Sequence, residues 1–292
     1  MNAIDNWTND IWNKINGQTG PPPQPGVLKT VMGTIRVAQK VFPTTVRGND
    51  NPVPADTVDL TTGIPTVGVT RPVILITKQF QLADMHVKDL PDLPMVMNQV
   101  SLAGQTLALL EDTLFFQGQK ASVPNSSVTV TVLSDLQDGL LGIAKTTIKV
   151  QAHADGTYGT ETFKAVIQGI SQFATDLQGP PFALILDPVT FADAHLPLED
   201  NSMVTPASAI QALVGDGGFY MSPGLPPKTG LLASLGGVTT KLYIGTEPVV
   251  QFTNVDINSY FFTARESIQF YNIDPRSLIK LDFAAPGSKP KP

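Results

Sequence analysis

Groups suited to metal binding or nucleophilic catalysis are few and widely separated in this chain. Its three histidines, His86, His153 and His195, form no HExxH or HxH pattern, the spacings at which two imidazoles bind one zinc ion. We interpret them as surface or loop residues. Cysteine is absent, which excludes disulfides, thiol catalysis and cysteine metal ligands. The sequence therefore predicts no metal site and no cofactor.

The acidic residues form pairs but not a catalytic set. Glu111 and Asp112 are adjacent near the end of a predicted helix, and adjacent helical side chains point in different directions. We predict that they lie on a solvated or interface face, where changes at Glu111 have mild effects. Asp187 precedes a proline after a predicted strand, which is typical of a helix N-cap. Arg265 and Glu266 are predicted to be a charge pair at the end of a strand.

Sequence motifs of known catalytic sites are missing. The chain has no nucleophile elbow, phosphate-binding loop or dinucleotide fingerprint, and the glycine-rich residues 215–218 are interpreted as a turn. This argues against an enzyme, although only weakly, because catalytic sites assemble from distant residues. A monomeric α+β enzyme is kept as an alternative, with Asp187 and His195 as the first residues to mutate.

The composition favours a subunit of an assembly. The 292 residues are 42% hydrophobic and only 15% charged, whereas about a quarter of the residues of a typical soluble domain are charged. A chain with few charges either hides surface in an oligomer or is a Thr- and Gly-rich β monomer, and we favour the oligomer. The net charge of −6 and the lack of a Lys/Arg run argue against direct nucleic-acid binding.

Targeting signals are not visible in the sequence. The N-terminus has no basic region followed by an apolar run, so no signal peptide is expected. No apolar stretch reaches the length of a membrane span. The predicted location is the cytoplasm or a virion.

The strongest predicted element is a helix over residues 92–118, which we call the spine helix. Its apolar stripe repeats at spacings of four and three: Val96, Val100, Ala103, Leu107, Leu110 and Leu114. Other apolar residues lie off this stripe, so the helix requires burial on more than one side. We predict that its end contacts both its own domain and neighbouring subunits, through Leu107, Leu110, Leu114, Phe115 and Phe116.

A short amphipathic helix is predicted at the N-terminus, over residues 3–15. Its apolar face holds both tryptophans of the chain, Trp7 and Trp12, together with Ile11. The Pro-rich residues 17–26 then interrupt regular structure and form a tether. Such a helix docks either on its own domain or, as a candidate partner-facing arm, on another protein.

The rest of the chain predicts a mixed α+β fold. Strands are predicted within residues 27–46, a loop over 49–66, and over 71–82 an extended strand or arm able to pair with a neighbour's strand. A helix with Thr160 as N-cap precedes a buried central strand over 182–186 and helices over about 188–195 and 206–214. Shorter strands are predicted at 128–133, 146–150, 231–235, 241–244, 249–252, 260–263, 267–271 and 277–283.

Several motifs resemble a known family in the same order. They are VGVTRPV (67–73), FQL (80–82), LALLEDTLFFQG (107–118), residues 138–141 and 162–177, GPPFALILDPVTF (179–191), HLPLE (195–199), RESIQF (265–270) and DPRSLIKL (274–281). Together they resemble the encapsulin, or linocin-like, family of shell proteins, which is related to the major capsid proteins of tailed phages. The resemblance extends over residues 66–283.

The resemblance implies an α+β fold of the tailed-phage major capsid type (Hong Kong 97-type), with a peripheral domain, an axial domain and an extended loop. It implies the following division: 1–26 N-terminal helix and tether, 27–91 strands and extended loop, 92–160 peripheral domain, 161–250 axial domain, and 251–292 closing strands and tail. The loop at the five-fold axis is implied to contain His195, Leu196, Pro197, Leu198, Glu199 and Asp200.

The function implied by this family is structural. Copies of the chain would assemble into a hollow icosahedral shell without catalysis of its own. The shell would enclose a cargo enzyme such as a peroxidase or a ferritin-like protein, with the N-terminal helix facing the cargo. The alternative is the major capsid protein of a tailed phage or provirus, which encloses DNA.

Overall fold

The computed structural model describes residues 4, 7–18, 24–54, 57–58, 65–66, 70–88, 93–118, 121, 128–132, 138–153, 156–197, 204–237 and 239–284. The described α-helices are α1 Asn9–Asn16, α2 Val27–Ile35, α3 Ala38–Val41, α4 Asp84–Val87, α5 Pro94–Gln117, α6 Leu140–Ile143, α7 Gly159–Thr175, α8 Pro188–Ala194 and α9 Pro206–Val214.

The described strands include two long runs without an intervening α-helix, from β3 to β8 and from β12 to β17. They are β1 Gly17–Gln18, β2 Gln24–Pro25, β3 Thr44–Val46, β4 Val53–Pro54, β5 Thr57–Val58, β6 Pro65–Thr66, β7 Thr70–Arg71, β8 Ile74–Ala83, β9 Val128–Val132, β10 Thr146–Val150, β11 Gly179–Leu186, β12 Phe219–Met221, β13 Thr229–Gly236, β14 Thr240–Ile244, β15 Val249–Asp256, β16 Ser259–Asn272 and β17 Leu278–Phe283.

A six-stranded sheet lies against the spine helix, which is α5. Its strands run in the order β3-β14-β16-β8-β9, and β15 pairs with the first part of β16. The predicted strands at 260–263 and 267–271 are therefore one strand, β16, which pairs with β8 along one edge and with β15 and β14 along the other. The apolar face of this sheet, with Phe262, Ile268 and Phe270, joins the core around the spine helix.

Strand β8 lies inside the six-stranded sheet, and this corrects the prediction that its segment pairs with a neighbour's strand. Between Ile74 and Lys78 it is bonded to β16 on one side and to β9 on the other. Both edges are thus occupied by strands of the same chain over this range. The alternation of apolar and polar residues predicted the strand correctly but carries no information on its partner.

A five-stranded sheet forms a second layer, in the order β10-β17-β13-β11-β12. The apolar run 182–186 is its buried strand β11, as predicted, and α7 and α9 cover one face. Gly169 of α7 allows this close packing, because a Cβ atom there would lie 2.5 Å from Cδ2 of Leu232 on β13. The core on this face of the sheet is separate from the one around the spine helix.

The spine helix matches its prediction closely. It runs from Pro94 to Gln117 and ends at Gly118, whose φ of 84° is the left-handed backbone that favours glycine after a helix. Every residue of the predicted apolar stripe is at most 1% exposed. Helix α2 packs along it so closely that a Cβ atom on Gly104 would lie 3.2 Å from the carbonyl oxygen of Leu28.

The strands predicted within residues 27–46 are largely wrong. Helices α2 and α3 occupy most of this segment, and only Thr44–Val46 is a strand. Leu28 and Met32 are four residues apart and fully buried, with Ile35 one further turn along. The prediction gave more weight to the Val and Thr content, which favours strands, than to this helical period. Burial of the apolar stripe decides the structure here, because it stabilises more than β-propensity does.

The N-terminal helix is shorter than predicted and docks on its own domain. It spans Asn9–Asn16, with Trp7 placed just before it. The Trp7 ring stacks on Phe262 at a centroid distance of 5.6 Å, and its Nε1–H donates to the carbonyl of Val87 at 3.2 Å. Of the two alternatives, docking on its own domain is therefore the one that the structure shows.

Helix starts in the second half of the chain were predicted with mixed success. Asp187 is the N-cap of α8, because its Oδ1 accepts from the N–H of Val189 at 3.1 Å. Thr160 is not an N-cap, since α7 already begins at Gly159. Some predicted segments lie outside the described residues: 19–23 of the tether, 67–69 before β7, 198–200 of the candidate axis loop, and the tail 285–292.

Candidate functional site

The end of the spine helix carries a buried cluster of charges, which corrects the sequence-based interpretation of its acidic residues. Glu111 and Asp112 are 0% and 1% exposed, and Glu266 is 0% exposed. Glu266 does not lie at a strand end but in the middle of β16. Neither a solvated face nor an exposed charge pair describes these carboxylates. We call Arg36, Gln39, Glu111, Asp112, Ser222 and Glu266 the spine cluster.

Arg36 neutralises part of this charge from the corner between α2 and α3. Its Nη1 atom lies 3.1 Å from Oε2 of Glu111 and 3.2 Å from Oε1 of Glu266. Gln39 donates from Nε2 to the other Glu111 oxygen at 2.7 Å. One guanidinium therefore serves two carboxylates from two different elements, the spine helix and strand β16.

The carboxylate of Asp112 binds the backbone of the same corner between α2 and α3. Its carboxylate accepts from the N–H of Val37 and from the N–H of Ala38, at distances between 2.9 and 3.0 Å. It also accepts from Oγ of Ser222 at 2.9 Å. Ser222 follows β12 of the five-stranded sheet, so Asp112 joins the spine helix to both the N-terminal segment and the second sheet.

The loop after β12 fits tightly against this part of the spine helix. Gln117 donates from Nε2 to the carbonyl of Gly224 at 2.7 Å. A Cβ atom on Gly224 would lie 2.7 Å from Cβ of Asp112, closer than packed carbon atoms approach. The contact between this loop and the spine helix therefore requires glycine at position 224.

Burial dominates the protonation of the cluster. It raises the pKa of Asp112 to about 6, although the backbone N–H groups of Ala38 and Val37 oppose the shift. Burial likewise raises the pKa of Glu266 well above that of an ordinary glutamate, and the charge of Glu111 adds to the shift. It also raises the pKa of Glu111, against the opposing charge of Arg36.

The cluster is suited to holding structure and protons rather than to catalysis. Its carboxylates are sealed from solvent, so that no substrate reaches them in this conformation. Across the described part of the chain, no group of three or more His, Cys, Asp or Glu side chains is placed to hold a metal ion. Among those same residues, none of the helices is both long and apolar enough to cross a bilayer.

The five residues predicted as a spine-helix interface belong instead to the subunit core. Each of the set is at most 1% exposed within the single chain: Leu107, Leu110, Leu114, Phe115 and Phe116. Phe115 packs against Phe42 and Phe270, with ring centroids 5.1 and 5.0 Å apart. A neighbouring subunit has no access to them, which corrects the predicted interface. The exposed apolar residues of this helix are Met95 and Leu102, at 39% and 51%.

The described part of the candidate axis loop lies at the end of α8. His195 stacks on Phe219 of β12 at 5.7 Å, and its Nδ1 lies 2.9 Å from the carbonyl oxygen of Phe191. Leu196 is 49% exposed and Pro197 follows it. Leu198, Glu199 and Asp200 lie outside the described residues. The assignment of this loop to a symmetry axis stays a prediction.

The N-terminal helix borders an open groove on one side. Trp7 and Ile11 are each 7% exposed and pack into the domain core, and Trp12 is half-buried against Trp7. The groove has a volume of about 360 Å³ and is lined by Lys14, Pro25, Val27, Thr30, Val31 and Met97. The burial of Trp7 and Ile11 in the domain core corrects their predicted partner-facing role, whereas that of the half-buried Trp12 stays a prediction. The groove is the accessible apolar surface beside them.

Sequence reasoning missed half of the spine cluster. Arg36, Gln39 and Ser222 were assigned no role, and they come from segments far from the spine helix in the chain. The available signal was two adjacent acidic residues, Glu111 and Asp112, in a helical segment that is apolar on both sides except for Thr113. Acidic residues in such surroundings need a buried partner.

The two sheets, the long helix between them and the order of the strands define the fold of tailed-phage major capsid proteins. The chain is similar to a virus-like particle from Pyrococcus furiosus, with 14% identity, a TM-score of 0.64, and coverage of 88% of this chain and 96% of that one. The capsid of Myoviridae phage XM1 is 11% identical with a TM-score of 0.54, and the match covers 84% of this chain and 90% of that one. The capsid of the empty GTA particle is 12% identical with a TM-score of 0.55, and the match covers 85% of this chain and 90% of that one. At such identities the likeness shows the fold, and the predicted fold is confirmed.

Part of the chain also matches the sequence model of a protein family. Residues 130–269 match the sequence model of Linocin_M18, the family described as encapsulating protein for peroxidase. This confirms the resemblance to encapsulins that was inferred from the motifs. A search of curated proteins gave no match.

Proposed function

We propose that this chain is the subunit of a hollow icosahedral shell that encloses a cargo protein and does no catalysis of its own. The observation that carries the proposal is the match of residues 130–269 to the encapsulating family, within a chain that has the capsid fold. The spine cluster agrees with it, because its three carboxylates, on Glu111, Asp112 and Glu266, are buried away from any substrate.

Exposed apolar side chains support assembly. They lie at separate places on the subunit, among them Met85, Leu102, Leu177, Val189, Leu196, Val204 and Ile257, each at least 49% exposed. Single exposed apolar residues are common on monomers, whereas several around one subunit suit contacts with several neighbours. Heterologous contacts that close on themselves generate shells.

Electron microscopy of the purified full-length chain tests this function directly. We expect a very large species on size exclusion and hollow spheres under negative stain. A stable monomer would contradict the proposal. The contents then distinguish the two shell functions: an enclosed protein supports the nanocompartment, whereas enclosed DNA supports the phage or provirus capsid.

The cargo is proposed to dock beside the N-terminal helix, in the groove between α1, α2 and the spine helix. This groove is apolar with a single cation, Lys14, which suits an apolar segment of a peroxidase or a ferritin-like cargo. Val31→Glu places a charge in the groove, and we expect shells of normal size that retain less co-expressed cargo. Thr34→Glu, on the exposed side of α2, is the matched control. Equal loading of both variants would contradict this docking site.

A further inference from the structure

The two glutamates of the spine cluster meet over one guanidinium, and neither carboxylate reaches the surface. Glu111 and Glu266 are both fully buried, and Nη1 of Arg36 contacts one oxygen of each. The second Glu111 oxygen accepts from Gln39, whereas Oε2 of Glu266 is buried without a hydrogen-bond partner among the described residues. Two negative charges and one positive charge thus share a site in which neither carboxylate contacts solvent that could compensate the excess.

We propose that Glu111 and Glu266 hold one proton between them, and that this proton closes a latch between the spine helix and strand β16. The proton makes the Arg36 site electrically neutral, since one carboxylate then balances the guanidinium. It also provides Glu266 with an O–H donor at the oxygen that otherwise lacks a partner. Loss of the proton leaves two carboxylates repelling each other across the contact between the two elements.

Other charged groups around the latch do not replace the proton. Asp112 is the next residue on the spine helix and adds negative charge, and its oxygens already bind the α2–α3 corner and Ser222. Lys40 on α3 is directed away and donates to the carbonyl of Thr34. On β8, Lys78 lies two residues beyond Ile76, the residue opposite Glu266. Arg36 is the cation that forms an ion pair with both glutamates.

The direction of the pH dependence follows from the shared proton. Burial raises the pKa of Glu266 well above 4.5, the value of an unfolded glutamate, so the folded chain holds a proton that the unfolded chain lacks. The resulting stability is fully present below the unfolded pKa and is lost as the pH rises through the folded pKa. In that window the unfolding equilibrium constant rises about tenfold per pH unit for one proton.

Replacing Glu266 by glutamine tests the latch. In Glu266→Gln the amide N–H donates where the protonated carboxyl would, and no proton is required. We expect the midpoint temperature of the full-length wild type to keep falling as the pH rises above the titration of Asp112, whose pKa is about 6, and most of this further fall to disappear in the variant. The control is Glu247→Gln, a half-exposed glutamate paired with Lys29, which should follow the wild-type profile. A variant whose midpoint falls in parallel with the wild type would overturn the proposal.

Infrared spectroscopy of the wild type keeps the test independent of how the variants fold. At about pH 8, above the pKa of about 6 of Asp112, an ionised cluster shows carboxylate bands only. The latch predicts one protonated carboxyl C=O band in the native chain, and its loss on unfolding. Absence of this band would also overturn the proposal. The infrared band reports the protonation of the carboxyls and not shell formation, so its absence leaves the proposed function standing.

Discussion

Arg36 is the residue on which the buried charges of the subunit converge. Replacing it by methionine keeps an unbranched apolar stem but leaves Glu111 and Glu266 without their cation. We expect Arg36→Met to destabilise the subunit by about 3–5 kcal/mol, the usual effect of removing one partner from a buried ion pair. Chemical denaturation measures this. The exposed pair of Lys29 with Glu247 is the control, since Lys29→Met should change stability by less than about 1 kcal/mol.

Asp112 contributes a separate pH dependence in the acidic range. Its pKa is about 6 in the folded chain against 3.8 as the reference value, so its protonated form favours folding. This contribution is fully present below about pH 4 and is lost as the pH rises through 6, by about 3 kcal/mol in total. Relative to Asp112→Asn, which does not titrate, the wild type should lose stability across this window. Equal slopes in denaturation experiments on the two chains would contradict the shift.

The spine helix carries buried apolar residues on one side and exposed apolar residues on the other. Leu110 is 1% exposed in the core of the subunit, and Leu102 is 51% exposed on the outer side of the same helix. We expect Leu110→Asp to prevent folding, because it buries an unpaired charge. Leu102→Glu should leave the circular dichroism and the unfolding of the subunit unchanged while reducing particle formation. If Leu102→Glu assembles normally, this side of the helix is not a subunit contact.

The elements were predictable from sequence where a single periodicity set them. The spine helix, the buried strand β11 and the helix capped by Asp187 follow from local patterns that tertiary packing reinforces. Helix α2 was not predicted, because its β-branched residues indicated strands while its burial against Gly104 selected a helix. The spine cluster was not predictable, because Arg36 and Glu266 are brought to Glu111 only by the folded chain.

In the whole shell, the prediction that residues 195–200 line a pore can be tested by reversing the charge of this loop. Glu199 and Asp200 follow His195, Leu196, Pro197 and Leu198 in this loop, after the exposed end of α8. Replacing both acidic residues by lysine reverses the charge of a pore lined by the loop, and we expect altered ion flux with intact shells. Fluorescence quenching of a dye inside the shell measures the flux. Failure of assembly would instead identify the loop as a packing element.

The side chain of Asn16 covers part of an open strand edge, that of β15. Its amide donates to the carbonyl of Val250 at 3.0 Å and accepts from the N–H of the same residue at 2.7 Å, as a neighbouring strand would. Val250 lies on β15, which pairs only with β16 among the described strands and is therefore an edge strand. Open edges invite fibrillar association. Asn16 thus occupies the backbone groups of this edge at Val250. A chain that lacks the N-terminal residues through Asn16 would leave them free to pair with the strand of another chain.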